Sequence, residues 1–184
     1  MRRTVWKMGG ESMIQLRREL RGKILDIGGG GEGVIGQLYG EQVVAIDNRQ
    51  EELDEAPGCF EKRLMDATCM TFADGAFANV TSFYTLMFMS GAEQQKALSE
   101  AARVLVPNGE IHIWDCNIAC AYPEPFCIDV EVRLPGRTIR TTYGVGKLDA
   151  QSMDSIRALC EEAGLRVEKA ETDGRHFYLK CRKR

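Results

Sequence analysis

Asp26-Ile27-Gly28-Gly29-Gly30-Gly31-Glu32-Gly33 is the stretch on which the fold of this chain turns. Before it stands the compact run Lys23-Ile24-Leu25, the signature of a buried strand. After it, Gly33 to Tyr39 reads as a helix closed by Gly40. Strand, tight loop and helix in that order mark the crevice where doubly wound sheets take their ligands. Glycines there let the backbone approach a ligand and adopt positive φ without a side-chain clash. Their amides, together with the following helix terminus, favour a carboxylate or a phosphate.

Outward from this loop the alternation continues. Gln42 to Asp47 reads as a second strand, Gln50 to Glu55 as a short polar helix, and Pro57-Gly58 as a break. Residues 60–65 make a weaker third strand, and Val80-Thr81-Ser82-Phe83 a fourth. Ala92 to Leu105 has helical length and apolar residues at helical spacing, Pro107-Asn108-Gly109 turns, and Ile111-His112-Ile113-Trp114 suits a fifth strand. Strands separated by helices pair in parallel, because the crossover needs a dozen or more residues. The expected fold is therefore α/β: a doubly wound, mostly parallel sheet with helices on both faces.

The ends depart from this pattern. Asp129 to Leu134 and Ile139 to Tyr143 alternate with period two around Pro135-Gly136-Arg137, which predicts a hairpin inserted after the fifth strand. A helix from Gln151 to Ala163 leads to Leu165–Ala170 and, past Thr172-Asp173-Gly174, to His176–Cys181, an antiparallel closing pair. Met13, Ile14, Leu16 and Leu20 recur at roughly helical spacing and predict a short amphipathic helix. The expectation is one domain over residues 1–184: an N-terminal arm and helix (1–22), a cofactor-binding core (23–115), the inserted hairpin (127–143), and the helix with its closing pair (149–184).

The 184 residues are 44% apolar, enough for one substantial core. A net charge of -3 offers no field for nucleic acid or an anionic membrane, and the basic clusters Arg2-Arg3 and Lys180 to Arg184 read as solvated ends. No run is apolar enough to span a bilayer, and the start lacks the apolar segment of a signal peptide. With seven scattered cysteines, an odd number, the reading is a cytoplasmic protein with reduced thiols. Cys116, Cys120 and Cys127 lack the paired spacing of a zinc site, so no metal is expected, although the first two follow strand five and can face an acceptor.

Gly28-x-Gly30-x-x-Gly33 matches a dinucleotide fingerprint, and Asp47 follows Gly28 at the distance of a ribose-binding acid. Taken alone the loop does not choose its ligand. Asp26 tips the choice, because a carboxylate just before the glycines is unfavourable beside a pyrophosphate and favourable beside the α-ammonium and sulfonium of S-adenosylmethionine.

At this point the sequence resembles the class I (Rossmann-like) S-adenosylmethionine-dependent methyltransferases, whose first motif is an acid followed by closely spaced glycines, matched by Asp26, Gly28 and Gly30. The family's third glycine normally falls where Glu32 stands and is displaced here to Gly33. The likeness runs on through Val43-Val44-Ala45-Ile46-Asp47, through Met65-Asp66-Ala67, through Phe77 to Phe83 with Ala78 where an acid is frequent, and through Arg103 to Glu110. It covers about residues 23 to 115. It implies S-adenosylmethionine as cofactor, with S-adenosylhomocysteine as product. It also implies that Asp26, Gly28, Gly29 and Gly30 hold the amino-acid end, Asp47 the ribose, Asn48 the same sugar or the adenine, Asp66 and Ala67 the adenine, and Phe83 the wall of the same site. The hairpin and the first 22 residues flank the ligand side in this family.

Phe83, Tyr84, Met87, Phe88 and Met89 follow strand four and read either as an apolar acceptor pocket or as core. Tyr84 is the candidate to orient an acceptor or take a hydrogen bond from it, a reading from position alone. His112 and His176 read as structural histidines, and Trp114 and Asp115 as either crevice or core. A small-molecule acceptor fits the absence of a basic stripe, and a protein acceptor stays open. Two other functions compete: an NAD(P)-dependent oxidoreductase, opposed by Asp26, and an S-adenosylmethionine-binding module that transfers nothing.

Overall fold

A computed structural model describes residues 7–184; Arg2-Arg3 lie outside them. Its strands are β1 (Lys7–Gln15), β2 (Ile24–Ile27), β3 (Val43–Asp47), β4 (Glu61–Leu64), β5 (Phe77–Phe83), β6 (Leu105–Cys116), β7 (Phe126–Leu134), β8 (Arg137–Val145), β9 (Leu165–Thr172) and β10 (His176–Lys183). Its α-helices are α1 (Val34–Tyr39), α2 (Gln50–Glu55), α3 (Gly91–Val104) and α4 (Met153–Glu162).

Seven strands form one sheet in the order β4-β3-β2-β5-β6-β10-β9. The first five are parallel, and β10 runs antiparallel between β6 and β9. β2 is buried at all four positions, as a central strand covered on both faces must be. One face carries α3 and α4, with Leu98, Ala101 and Ile156 packed among Leu25, Val80, Ile113 and Leu179. The other face packs Ile24, Val43 and Ala45 against Ile35 and Leu38 of α1.

That second face is completed by a small sheet, β1-β7-β8, in which β7 and β8 are the expected hairpin. The helix expected around Met13 to Leu20 is not present. Met13 and Ile14 belong instead to β1, which pairs in parallel with β7 from Lys7↔Phe126 to Gln15↔Arg133, and Leu16 and Leu20 follow that strand. Ser12, Ile14 and Leu16 are buried while Met13 is 57% exposed, so the true period is two. An amphipathic spacing this short fits either period, and a partner more than 110 residues away in sequence decides between them.

α3 begins with a capping box: the Ser90 hydroxyl accepts from the Glu93 amide, and Glu93 Oε2 accepts from the Ser90 amide at 2.7 Å. Ser90→Ala is expected to lower stability by about 1 kcal/mol. Urea denaturation reads it as a lower midpoint at unchanged slope, and an unshifted midpoint refutes the cap's contribution. Among the described residues no helix is long and apolar enough to cross a membrane. All seven cysteines are free thiols.

Candidate active site

A cavity of about 540 Å³ opens at the C-terminal ends of the parallel strands, bounded by the glycine loop, β3, the turn after β4, the end of β5 and the hairpin strand β8. The glycine loop forms its floor. Gly28 has φ of 69°, and both its amide and that of Gly29 donate to the Ile46 carbonyl, at 2.8 and 3.1 Å. A Cβ on Gly28 would overlap the Thr85 side chain, whose hydroxyl donates to the Ile27 carbonyl at 3.0 Å. The displaced glycine, Gly33, has φ of 55° and caps α1, and a Cβ there would meet the Phe60 ring. Gly33 therefore serves the turn into the helix. The Gly31 amide donates to the Glu52 carbonyl and the Gly33 amide to that of Gly30. Most of the loop's amides are thus satisfied within the fold, and an anion such as pyrophosphate finds few of them free.

Asp26 is the next-to-last residue of β2 and is 2% exposed. Its Oδ1 accepts from the Thr81 hydroxyl of β5 at 2.7 Å. Burial pushes its carboxyl up to about 7; the Thr81 bond offsets part of that, and the negative charge of Asp47 adds to it. A buried carboxylate of this kind is suited to a cation, which would restore its ionised form.

Asp47 ends β3 with Oδ1 accepting from the Arg49 amide at 3.0 Å, and Asp66 follows β4 with Oδ1 accepting from the amide and hydroxyl of Thr68, each at 2.8 Å. Each acid thus braces its own turn with one oxygen. That leaves the other without a protein donor among the described residues. Asn48, Ala67 and Phe83 line the same cavity, so all nine residues expected around the cofactor, together with Tyr84, come to one place.

Tyr84 is held differently from its expectation. Its φ is 50°, uncommon for a bulky residue, and its amide donates to the Trp114 carbonyl at 2.7 Å. The residue is 1% exposed and its hydroxyl oxygen is buried without a hydrogen-bond partner. Burial, then the neighbouring Cys116 and Asp115, drive its phenol well above the usual tyrosine value. The hydroxyl is therefore not offered to an acceptor. The ring instead stacks on Tyr143 of β8, with centroids 4.9 Å apart and planes at 10°.

Tyr143 and its neighbours Thr142 and Gly144 were not singled out by the sequence, yet they form the cavity's far wall. Glu32 ties that wall to the glycine loop: its carboxylate accepts from the Thr141 hydroxyl and, at 3.4 Å, from the Tyr143 hydroxyl. Of the two outer segments expected on the ligand side, the hairpin lines the cavity; residues 7–22 do not.

Phe88 and Met89 also line the cavity, whereas Met87 is buried in the core beside Cys116. Asp115 is fully buried and accepts from the amides of Met87 and Cys116 and from Gln151, so it braces the fold. Trp114 lies outside this cavity too. His112 is hydrogen-bonded to Tyr178 at 2.8 Å and to Glu110 at 3.2 Å, a structural arrangement.

The cavity's chemistry agrees with comparisons to known proteins. Residues 25–113 match the family described as "Methyltransferase domain". Among solved structures the chain is similar to a SAM-dependent methyltransferase of Methanosarcina mazei, at 17% identity and a TM-score of 0.63 over 89% of this chain and 94% of that one. It is similar also to an S-adenosylmethionine-dependent methyltransferase of Mesorhizobium loti, at 13% identity and a TM-score of 0.61 over 88% and 90%. The 4+2 cyclase SpnF shares the fold as well, at 17% identity and a TM-score of 0.65 over 91% and 77%. Likeness at such identities speaks for the fold alone. No curated protein matches the sequence. The matched domain over residues 25–113, together with the shared fold, indicates a class I S-adenosylmethionine-dependent methyltransferase with S-adenosylmethionine as its cofactor.

Proposed function

We propose that this enzyme methylates a small-molecule acceptor bound between the glycine loop and the inserted hairpin. One observation carries the reading: Asp26, the glycine loop, Asp47 and Asp66 share a single cavity with the aromatic wall of Phe83, Tyr84 and Tyr143. In this reading Asp26 faces the α-ammonium, while Gly28, Gly29 and Gly30 let the backbone come close. The free oxygens of Asp47 and Asp66 accept from the ribose hydroxyls and the adenine amino group. Asn48 assists at the sugar, the Ala67 amide donates to the ring, and Phe83 packs beside it.

When bound, S-adenosylmethionine supplies a methyl group already activated by its positive sulfur. The protein's own work is then to hold the acceptor in line and to exclude water, which can account for much of the rate. We assign no general base. Residues 23–115 supply the cofactor side and 127–143 the acceptor side of one domain, acting in the cytoplasm, where free thiols persist.

Asp47→Ala is expected to weaken S-adenosylhomocysteine binding by about 1.5 kcal/mol or more, since charge-assisted ribose contacts are lost. Isothermal titration of the folded variant measures it, and unchanged affinity refutes the role. Titration of the unmodified protein with S-adenosylmethionine, S-adenosylhomocysteine and NADH tests the wider reading. Saturable NADH binding, with no response to the other two, would favour an oxidoreductase.

A further inference from the structure

We infer that the methyl acceptor is a cationic amine, held at the Glu32 carboxylate beside the ring of Tyr143. The inference rests on the methyltransferase reading and narrows its substrate class.

Charge is the first argument. Among the described residues, Asp26, Glu32, Asp47, Glu52, Asp66 and Glu93 line the cavity, against Arg49 as the one basic lining residue. Arg49 is already paired with Glu52 at 3.1 Å. The bound cofactor brings one net positive charge, which leaves the cavity strongly negative. An acceptor bearing a carboxylate or phosphate meets repulsion there, and a cation meets attraction.

Glu32 locates that attraction. The proposed cofactor contacts employ Asp26, Asp47 and Asp66, and Glu93 caps α3 through Ser90. Glu32 is left. Both of its donors, Thr141 and Tyr143, are neutral, so they orient the carboxylate without cancelling its charge. The nearby Arg137 is directed to the Gln37 side chain instead. Tyr143 cannot ionise to compete, because burial, followed by the charge of Glu32, drives its phenol well above the usual value.

The Tyr143 ring, which lines the cavity and is backed by the buried Tyr84, adds an attraction of a different kind. Ring faces attract ammonium groups by their quadrupole, and a tyrosine face beside a carboxylate forms a compact site for a cation. Phe88, 51% exposed at the cavity, offers an apolar surface for the rest of the acceptor. Before transfer the ammonium sheds one proton to solvent. The nitrogen lone pair then forms the new N–C bond while the C–S electron pair remains on sulfur, and the product keeps a positive charge on nitrogen.

The test is calorimetric titration of the protein, preloaded with S-adenosylhomocysteine, with 2-phenylethylamine, 2-phenylethanol and 3-phenylpropionate. The amine is expected to bind at least about tenfold more tightly than the alcohol, with no carboxylate binding at millimolar concentration. Glu32→Gln, which keeps an acceptor for Thr141, is expected to abolish the preference while leaving S-adenosylhomocysteine affinity within about twofold. Tyr143→Phe, which keeps the ring, is expected to retain it and checks that the wall still folds. Alcohol or carboxylate binding as tight as the amine, no amine binding at millimolar concentration, or a preference that survives Glu32→Gln overturns the proposal. Failure of S-adenosylhomocysteine to bind in the first place overturns the underlying reading instead.

Discussion

Gly28→Val is expected to cost about 2–5 kcal/mol of stability and to eliminate measurable S-adenosylhomocysteine binding. Two independent penalties add. The backbone at Gly28 has φ of 69°, where a β-branched residue is strained by roughly 1–2 kcal/mol. The new Cβ also overlaps three side-chain atoms of Thr85, an overpacking cost of roughly 1–3 kcal/mol. Relief of either penalty by movement pulls the loop off the Ile46 carbonyl and distorts the cavity floor. A second substitution, Thr85→Ala, removes the two nearest overlapping atoms but leaves its own Cβ at 2.8 Å and the backbone strain, and should recover only part of the loss. Gly58→Ala is the control, because its φ is not positive and no atom lies within 4 Å of its added Cβ. Thermal and urea unfolding with parallel titration give the answer, and a Gly28→Val protein of normal stability and affinity would show that the loop is not built as described.

The affinity for S-adenosylhomocysteine is expected to rise by up to about tenfold per pH unit between pH 5 and 7 and to level off above 7. Asp26 is the cause. Its carboxyl is held at about 7 in the ligand-free fold, against 3.8 when exposed, so it is largely protonated in this window. An α-ammonium beside it favours the ionised form, and binding must release the proton. The sign reverses for the ligand-free protein. A carboxyl raised in the folded state contributes stability that is complete below about 4 and is lost as pH rises through about 7. Asp115, raised to about 6 by burial, adds a contribution of the same sign. Asp26→Asn keeps an acceptor for Thr81 and isolates the effect: the variant should bind more weakly at pH 8, with little pH dependence, and should lack Asp26's share of the stability change. Affinity of the unmodified protein that stays flat from pH 5 to 8 would remove Asp26 from the cofactor's charged end.

Neighbouring residues along the chain account for what could be read in advance. β2, the glycine loop and α1 were legible because apolar run, glycine cluster and helical spacing follow one another within 17 residues, from Lys23 to Tyr39. Asp47 and Asp66 were legible as strand-end acids. Tyr84 differs from its reading by position: it reaches the cavity, but at φ of 50° its amide is bonded to the Trp114 carbonyl on the adjacent strand and its hydroxyl lies buried. Glu32 had a signal, since it stands where the resembled family has glycine. Tyr143 was legible only as part of a hairpin on the ligand side, because its place in the wall depends on how that hairpin packs.

By itself, then, the sequence determined the doubly wound sheet and the acids at the strand ends, which are set by local periodicity and by short, fixed spacing from the glycine loop, while its resemblance to a family implied the cofactor class. Only the tertiary structure decided the rest: that residues 7–15 form a strand and not a helix, that β8 closes the cavity, and that Glu32 meets Tyr143. Those outcomes rest on pairings across more than 100 residues, where neither propensity nor pattern in one segment carries information about its partner in the other.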